Sequence, residues 1–255
     1  MKITFLGTGT SQGVPVIACD CEVCTSTDKR DNRLRVSVMI ETQGKVIVID
    51  SGPDFRFQML RARVKHLDAI VFTHEHKDHV AGMDDVRAFN YKQQREIDVY
   101  AHPRVQDALK REFSYIFSAY TYPGVPRVIL NSINDQPFLV EGVEFIPIQV
   151  MHFKLPVLGF RVGDFTYITD AKTISAEEKN KIKGSKVLVL NALQKEDHIS
   201  HFTLSEAITL AEEIGAERTY LTHISHRLGR HSDILYELPV NVSLAYDGLV
   251  LEVTG

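Results

Sequence analysis

No run of about 18 apolar residues occurs in the 255-residue chain, so no membrane-spanning helix is expected. The opening Met1-Lys2-Ile3-Thr4-Phe5-Leu6-Gly7 alternates like a strand. It lacks the longer apolar stretch and cleavage signature of a secretory signal, and the expected location is cytoplasmic. Positive charge is not in excess: 29 Lys and Arg against 33 Asp and Glu leave a net charge of −4. That balance argues against a strongly electrostatic nucleic-acid binder. The local basic stretches 29–35 and 56–65 read as solvated faces. Cysteine is scarce, and an odd count of 3 without a secretion signal does not make a disulfide framework. There is no fixed-period repeat, no low-complexity tract and no Pro/Ser linker. With 44% hydrophobic and 24% charged residues, the composition suits a single domain spanning 1–255.

What is present is concentrated in six residues, His74-Glu75-His76-Lys77-Asp78-His79. They place four candidate metal ligands, His74, His76, Asp78 and His79, in one short turn. The preceding 68–73 reads as a buried strand and the following 80–89 as a helix. Alternate residues of an extended segment point the same way, so His74 and His76 can share one metal. Asp78 and His79, where the chain curls into the helix, can face a second. Imidazole suits zinc, and a mixed His/Asp set suits a pair of zinc-like ions.

The rest of the chain repeats the strand-then-ligand arrangement. Strands are expected at 2–6, 36–41, 45–50, 143–151, 157–162, 165–169, 187–192, 219–222, 242–245 and 249–253. Helices are expected at 54–64, 175–182 and 203–214. Residues 79–120 read as mostly helical around a short strand at 97–101, and the aromatic stretch 113–122 with Pro123-Gly124 closes this insertion. Each half is thus strand-rich first and helical after. Two such halves packed sheet to sheet give an α/β four-layer αββα sandwich. Two metals about 3.5–4 Å apart need more ligands than one turn supplies. His152, Asp170 and His223, each at a strand end, offer them. Cys19, Cys21 and Cys24 form a thiolate cluster in want of a fourth ligand.

His74-x-His76-x-Asp78-His79 followed by His152, Asp170 and His223 resembles the full ligand series of the metallo-β-lactamase superfamily. The resemblance runs over nearly the whole chain, from Phe5-Leu6-Gly7-Thr8-Gly9-Thr10 to Ala245-Tyr246-Asp247-Gly248-Leu249. It implies the αββα fold of the metallo-β-lactamase type. It implies that His74, His76 and His152 bind one metal, Asp78, His79 and His223 the other, and that Asp170 bridges them. Leu6-Gly7-Thr8-Gly9-Thr10-Ser11, Pro15, Cys19-Asp20-Cys21-Glu22-Val23-Cys24 and Asn32-Arg33-Leu34-Arg35 are similar to the PhnP-like branch, the accessory phosphodiesterases of carbon–phosphorus lyase pathways. In that branch a cysteine cluster and a late histidine hold a structural zinc, and the matching histidine is His226. Three thiolates and an imidazole make a closed tetrahedral set. His201 stands just before a helix like the non-ligand histidine of PhnP-like and tRNase Z enzymes. It is favoured over His198 because Phe202-Thr203-Leu204-Ser205-Glu206-Ala207 matches the family's helix start.

The implied activity is hydrolysis of a small or cyclic phosphodiester by a metal-bridging hydroxide. His201 would be the general acid, and Asp78 is counted with it among the catalytic groups. The cofactors expected are two catalytic divalent ions, Zn2+ or Mn2+, and one structural Zn2+. Asp50 and Asp247 can orient ligand histidines from behind or cap local turns. The expected partner is a small phosphodiester, with no membrane, nucleic acid not favoured, and a homodimer on family grounds. The alternatives are a tRNase Z-like nuclease, a thioester or lactam hydrolase, a di-iron redox module and a non-catalytic scaffold. Against the first stands the lack of a Gly/Pro-rich arm. Against the redox module stands His76, where that branch carries glutamate.

Overall fold

Strands whose two faces are both apolar must be covered on both sides, and this chain has many. The computed structural model describes residues 1–119 and 122–254. Its first half contains β1 (Lys2–Gly7), β2 (Ser37–Thr42), β3 (Lys45–Ile49), α1 (Phe55–Arg61), β4 (Ala69–Val71), α2 (Lys77–Val80), α3 (Arg87–Gln93), β5 (Ile97–Ala101), α4 (Pro103–Glu112) and β6 (Val128–Ser132). The second half contains β7 (Phe138–Val140), β8 (Val143–His152), β9 (Leu155–Val162), β10 (Phe165–Tyr167), β11 (Thr173–Ile174), α5 (Ala176–Ile182), β12 (Val187–Asn191), α6 (Leu204–Ile214), β13 (Arg218–Thr222), α7 (His231–Ile234), β14 (Val242–Leu244) and β15 (Val250–Glu252).

The strands form two sheets, ordered β15-β1-β2-β3-β4-β5-β6 and β11-β8-β9-β10-β12-β13-β14, with β7 on β8. Period-2 alternation divides each strand between layers. Val38 and Ile40 of β2 face the inter-sheet core with Phe145, Phe160, Phe165 and Tyr167. Met39 between them turns to the helix layer beside Phe55, Phe72 and Val86. In β12, Val187 and Val189 enter the inter-sheet core, while Leu188 and Leu190 pack under α6 against Ala207 and Leu210. Two sheets with a helix layer outside each make the αββα sandwich.

Direction matters more than order. β3, β4, β5 and β6 run parallel in one sheet, and β10, β12, β13 and β14 in the other. The C-terminal ends of parallel strands open a crevice, the usual ligand site of such sheets. Asp50, His74, Asp170 and His223 all lie just past such ends.

The structure departs from the sequence reading at several places. The single helix expected over 80–89 is broken into α2, a 3-10 turn at Met83–Val86 and α3. The break falls at Gly82, packed so tightly that a Cβ there would sit 2.0 Å from the Gly52 carbonyl oxygen. The first helix is shorter than 54–64, and β6, β7, β11, α4 and α7 have no separate counterpart in the sequence reading. β6 is a part-exposed edge strand with mixed burial, so its apolar signal is weak. Of the aromatic stretch 113–122, Tyr120 and Thr121 lie outside the described residues, and the described part up to 119 is turn rather than helix.

Candidate metal centre

His74 lies three residues past the end of β4, and His76 starts α2 from an extended conformation. Asp78 and His79 occupy the single turn of α2, and His152 ends β8. Asp50, Asp170 and His223 reach the crevice through left-handed backbone, with φ of 63°, 55° and 55°. Non-glycine residues seldom adopt it, and where they do at a strand end the surrounding structure has over-determined the turn.

These turns bring the predicted ligands together. The ring of His76 lies 4.6 Å from that of His74 and 5.2 Å from that of His152. His79 and His223 stack with centroids 6.2 Å apart. Asp170 stands between the groups: one oxygen is 3.3 Å from His79 Nε2 and the other 3.2 Å from His223 Nε2. Asp78 approaches the same nitrogens at 3.2 and 3.9 Å. The ligand atoms of His74, His79 and Asp170 all lie within 4.8 Å of one another, as do those of Asp78, His79 and His223.

The outer nitrogens are tied down. Thr73 donates its hydroxyl to Asp50 at 2.8 Å, so it accepts from His74 Nδ1 at 3.0 Å. Asp50 accepts from His79 Nδ1 at 2.7 Å, and the Ser200 carbonyl from His152 Nδ1 at 2.9 Å. Asp50 therefore fixes the orientation of the His79 ring from behind. Fixing Nδ1 leaves Nε2 as the lone-pair donor facing inward. Nε2 of His74 and His79 and both nitrogens of His223 are buried without a hydrogen-bond partner. Buried polar atoms without partners are costly, and a divalent ion between them removes that cost.

Charge points the same way. Burial would raise the carboxyls, yet His223 and His79 hold Asp170 well below the usual carboxylate range. Burial likewise works against Asp78, but His79 and His223 keep it low. Burial disfavours a charged His223, but Asp170 and Asp78 outweigh it and push the imidazole up to about 9. His74 is driven well down, by burial and then by His79. Protons thus do the charge balancing, and metal loading would displace them.

His201 is buried beside the centre, its ring 4.5 Å from His152 and 4.7 Å from His223. His198 sits further out, 5.1 Å from His201, with Nδ1 against Ser200. Of the two roles expected for Asp247, the contacts are those of a loop tie: it accepts from Thr8 Oγ1 at 2.8 Å, Leu34 N at 2.9 Å and Arg61 Nη1 at 3.1 Å, and none of these partners is a histidine of the centre. Thr73 also touches the centre, through His74 Nδ1, and its only signal in the sequence is adjacency to His74.

A second cluster lies apart. The sulfurs of Cys19, Cys21 and Cys24 stand 3.2, 3.4 and 3.5 Å from His226 Nδ1. The Cys24 amide bonded to Cys21 is the main cause that brings the Cys21 thiol down to about 6. Burial pushes Cys24 up to about 11. Four converging soft donors fit a closed structural site.

Comparison with known proteins agrees with this geometry. The Beta-lactamase superfamily domain matches residues 45–224. A solved diphosphatase of the PhnP family is 39% identical with a TM-score of 0.93, covering 99% of this chain and 98% of its own. An octanoyltransferase of Porphyromonas gingivalis is 41% identical over 252 residues, 98% of this chain and 51% of that protein. A ribonuclease Z of Nostoc punctiforme is 24% identical over 171 residues, 64% of this chain and 47% of that protein. The chain spans about half the length of these curated relatives. The chain belongs to the metallo-β-lactamase superfamily and stands close to its PhnP branch.

Proposed function

We propose that the protein is a two-metal phosphodiesterase acting on a small or cyclic phosphodiester. The observation that carries this reading is the convergence of His74, Asp78, His79, His152, Asp170 and His223, with the His76 ring against those of His74 and His152 and unpartnered buried nitrogens facing inward. His74, His76 and His152 would hold one ion, Asp78, His79 and His223 the other, with Asp170 shared. Such a pair supplies acidity to a water near neutral pH and positive charge against a phosphoryl group. Asp50 keeps Nδ1 of His79 protonated so that Nε2 remains the donor. His201 stands where a leaving alkoxide would take its proton. Burial, then the charge on His223, holds His201 down to about 2. A phosphodiester anion docked beside it works in the opposite direction and favours the imidazolium.

The test is hydrolysis of bis(p-nitrophenyl) phosphate, with zinc and manganese measured on the same sample. Turnover that chelation abolishes supports the proposal, and a fully metallated protein without turnover refutes it. The His201→Ala variant should retain both ions. It should lose about 10²–10⁴-fold in turnover of a diester with an alkyl leaving group. It should lose far less with p-nitrophenolate, which departs without a proton. A second reading, an acyl hydrolase acting on thioesters, is favoured by the octanoyltransferase name of the Porphyromonas gingivalis relative. An octanoyl thioester belongs in the same assay.

A further inference from the structure

Glu75 lies between two expected ligands and is itself aimed away from the centre. Its Oε1 pairs with Arg104 Nε at 2.9 Å, with Glu75 21% and Arg104 35% exposed. Arg104 also donates from Nη2 to the Pro156 carbonyl at 2.6 Å. Pro156 pairs with Met151, and the next rung of the same hairpin is His152 with Leu155. One guanidinium therefore joins the turn carrying His74 and His76, in one sheet, to the hairpin carrying His152, in the other. The same helix grips the turn again at its far end, where Glu112, the last residue of α4, meets Lys77. A backbone bond also crosses between the sheets here: Leu158 N donates to Thr73 O at 3.2 Å.

We infer that Arg104, through Glu75 and Pro156, is a positioning residue that sets the spacing of the His74/His76/His152 metal subsite. The inference rests on the reading of those three histidines as one ligand set, and its test reads metal binding rather than hydrolysis. A failed phosphodiesterase assay would thus leave it standing. A partly exposed ion pair adds little stability on its own account. Its effect lies in geometry: residues that orient ligands from behind commonly change metal affinity by about 10–100-fold.

The experiment is stepwise zinc competition against a chromophoric chelator for the full chain and for Arg104→Met, Arg104→Lys and Glu75→Gln, with melting curves of each zinc-free protein. We expect Arg104→Met to weaken one of the two catalytic-site binding steps about 10–100-fold and leave the other within about threefold. Lysine, which carries one donor head in place of a fork, should fall between. Glu75→Gln should shift the same step by less. Unchanged zinc affinities would overturn the inference. Arg104 would then be a substrate contact in the adjoining cavity of about 200 Å³ that it lines with His102, Asn134 and Gln149. Equal loss at both steps together with a lower zinc-free Tm would also overturn it, assigning Arg104 to general fold support. If Arg104→Met does not fold, Glu75→Gln decides between the same outcomes.

Discussion

His231 shows how a single buried residue can be read for its pH behaviour. It is 2% exposed, its amide donates to Asp31 Oδ1 at 2.7 Å, and Arg33 Nη2 donates to its Nδ1 at 3.1 Å. An imidazole that accepts from a guanidinium must be neutral. Burial, then the charge of Arg33, brings it down to about 4. The folded form thus refuses a proton that the unfolded chain takes near pH 6.5. Stability from this group is full above that pH and is lost as pH falls toward 4. Replacing His231 with Asn keeps an acceptor for Arg33 and removes the titration. Between pH 7 and 5 the natural chain should lose at least about 4 °C more in Tm than His231→Asn, since 1 kcal/mol moves Tm by roughly 2–4 °C at this size. Parallel melting curves in scanning calorimetry, with metal loading held equal, check it.

Among elements, the decisive contact is the meeting of two loops without side chains. A Cβ on Gly52, just past β3, would lie 2.0 Å from the carbonyl oxygen of Asp78 in α2. The Gly52 carbonyl in turn leaves no room for a Cβ on Gly82. The strand that supplies Asp50 and the helix that supplies Asp78 and His79 are thereby held at backbone contact. Gly52→Ala must push α2 away from β3, and overpacking of this kind costs about 1–3 kcal/mol. It should lower Tm and weaken binding of the ion assigned to Asp78, His79 and His223, while denaturant melts at saturating zinc recover part of the loss. An unshifted melting curve would show that α2 gives way without cost.

At the scale of the whole molecule, the thiolate cluster joins distant parts of the chain. Cys19, Cys21 and Cys24 lie near one end, and His226 lies three residues after His223 of the metal centre. The intervening Ile224 donates to Thr8 O at 2.9 Å and accepts from Thr10 N at 3.1 Å. Arg33, buried, ties this loop further, donating to Thr8 Oγ1 at 2.9 Å and Ala245 O at 2.6 Å. An ion at Cys19, Cys21, Cys24 and His226 would close a loop of some two hundred residues over the segment carrying His223. The triple Cys19→Ser, Cys21→Ser, Cys24→Ser variant should carry about one zinc fewer per chain by elemental analysis, and melt at lower temperature. An unchanged zinc count would remove the structural-site assignment.

Much of this was legible beforehand because the signals are local. A run such as Val187–Asn191 buries both faces wherever it is placed, and ligands set immediately after strands inherit their position from the strand. The αββα layering follows from period along the chain, the placement of His74, His152, Asp170 and His223 at strand ends follows from spacing, and their grouping with His76, Asp78 and His79 is what the family resemblance implies. Asp50 and Asp247 follow the same local pattern, yet only Asp50 reaches a histidine of the centre, because the order of strands puts β3 beside β4. His201 is favoured over His198 already in sequence by the helix start that follows it, and it is also the one buried against His152 and His223. The break at Gly82 and the span from Glu75 through Arg104 to Pro156 depend on segments far apart in the chain meeting at atomic distance. Sequence by itself determined which candidate ligands stand at strand ends and on which faces the apolar residues lie. Tertiary structure alone decided which of them touch, because contact across two sheets depends on packing that no local pattern encodes.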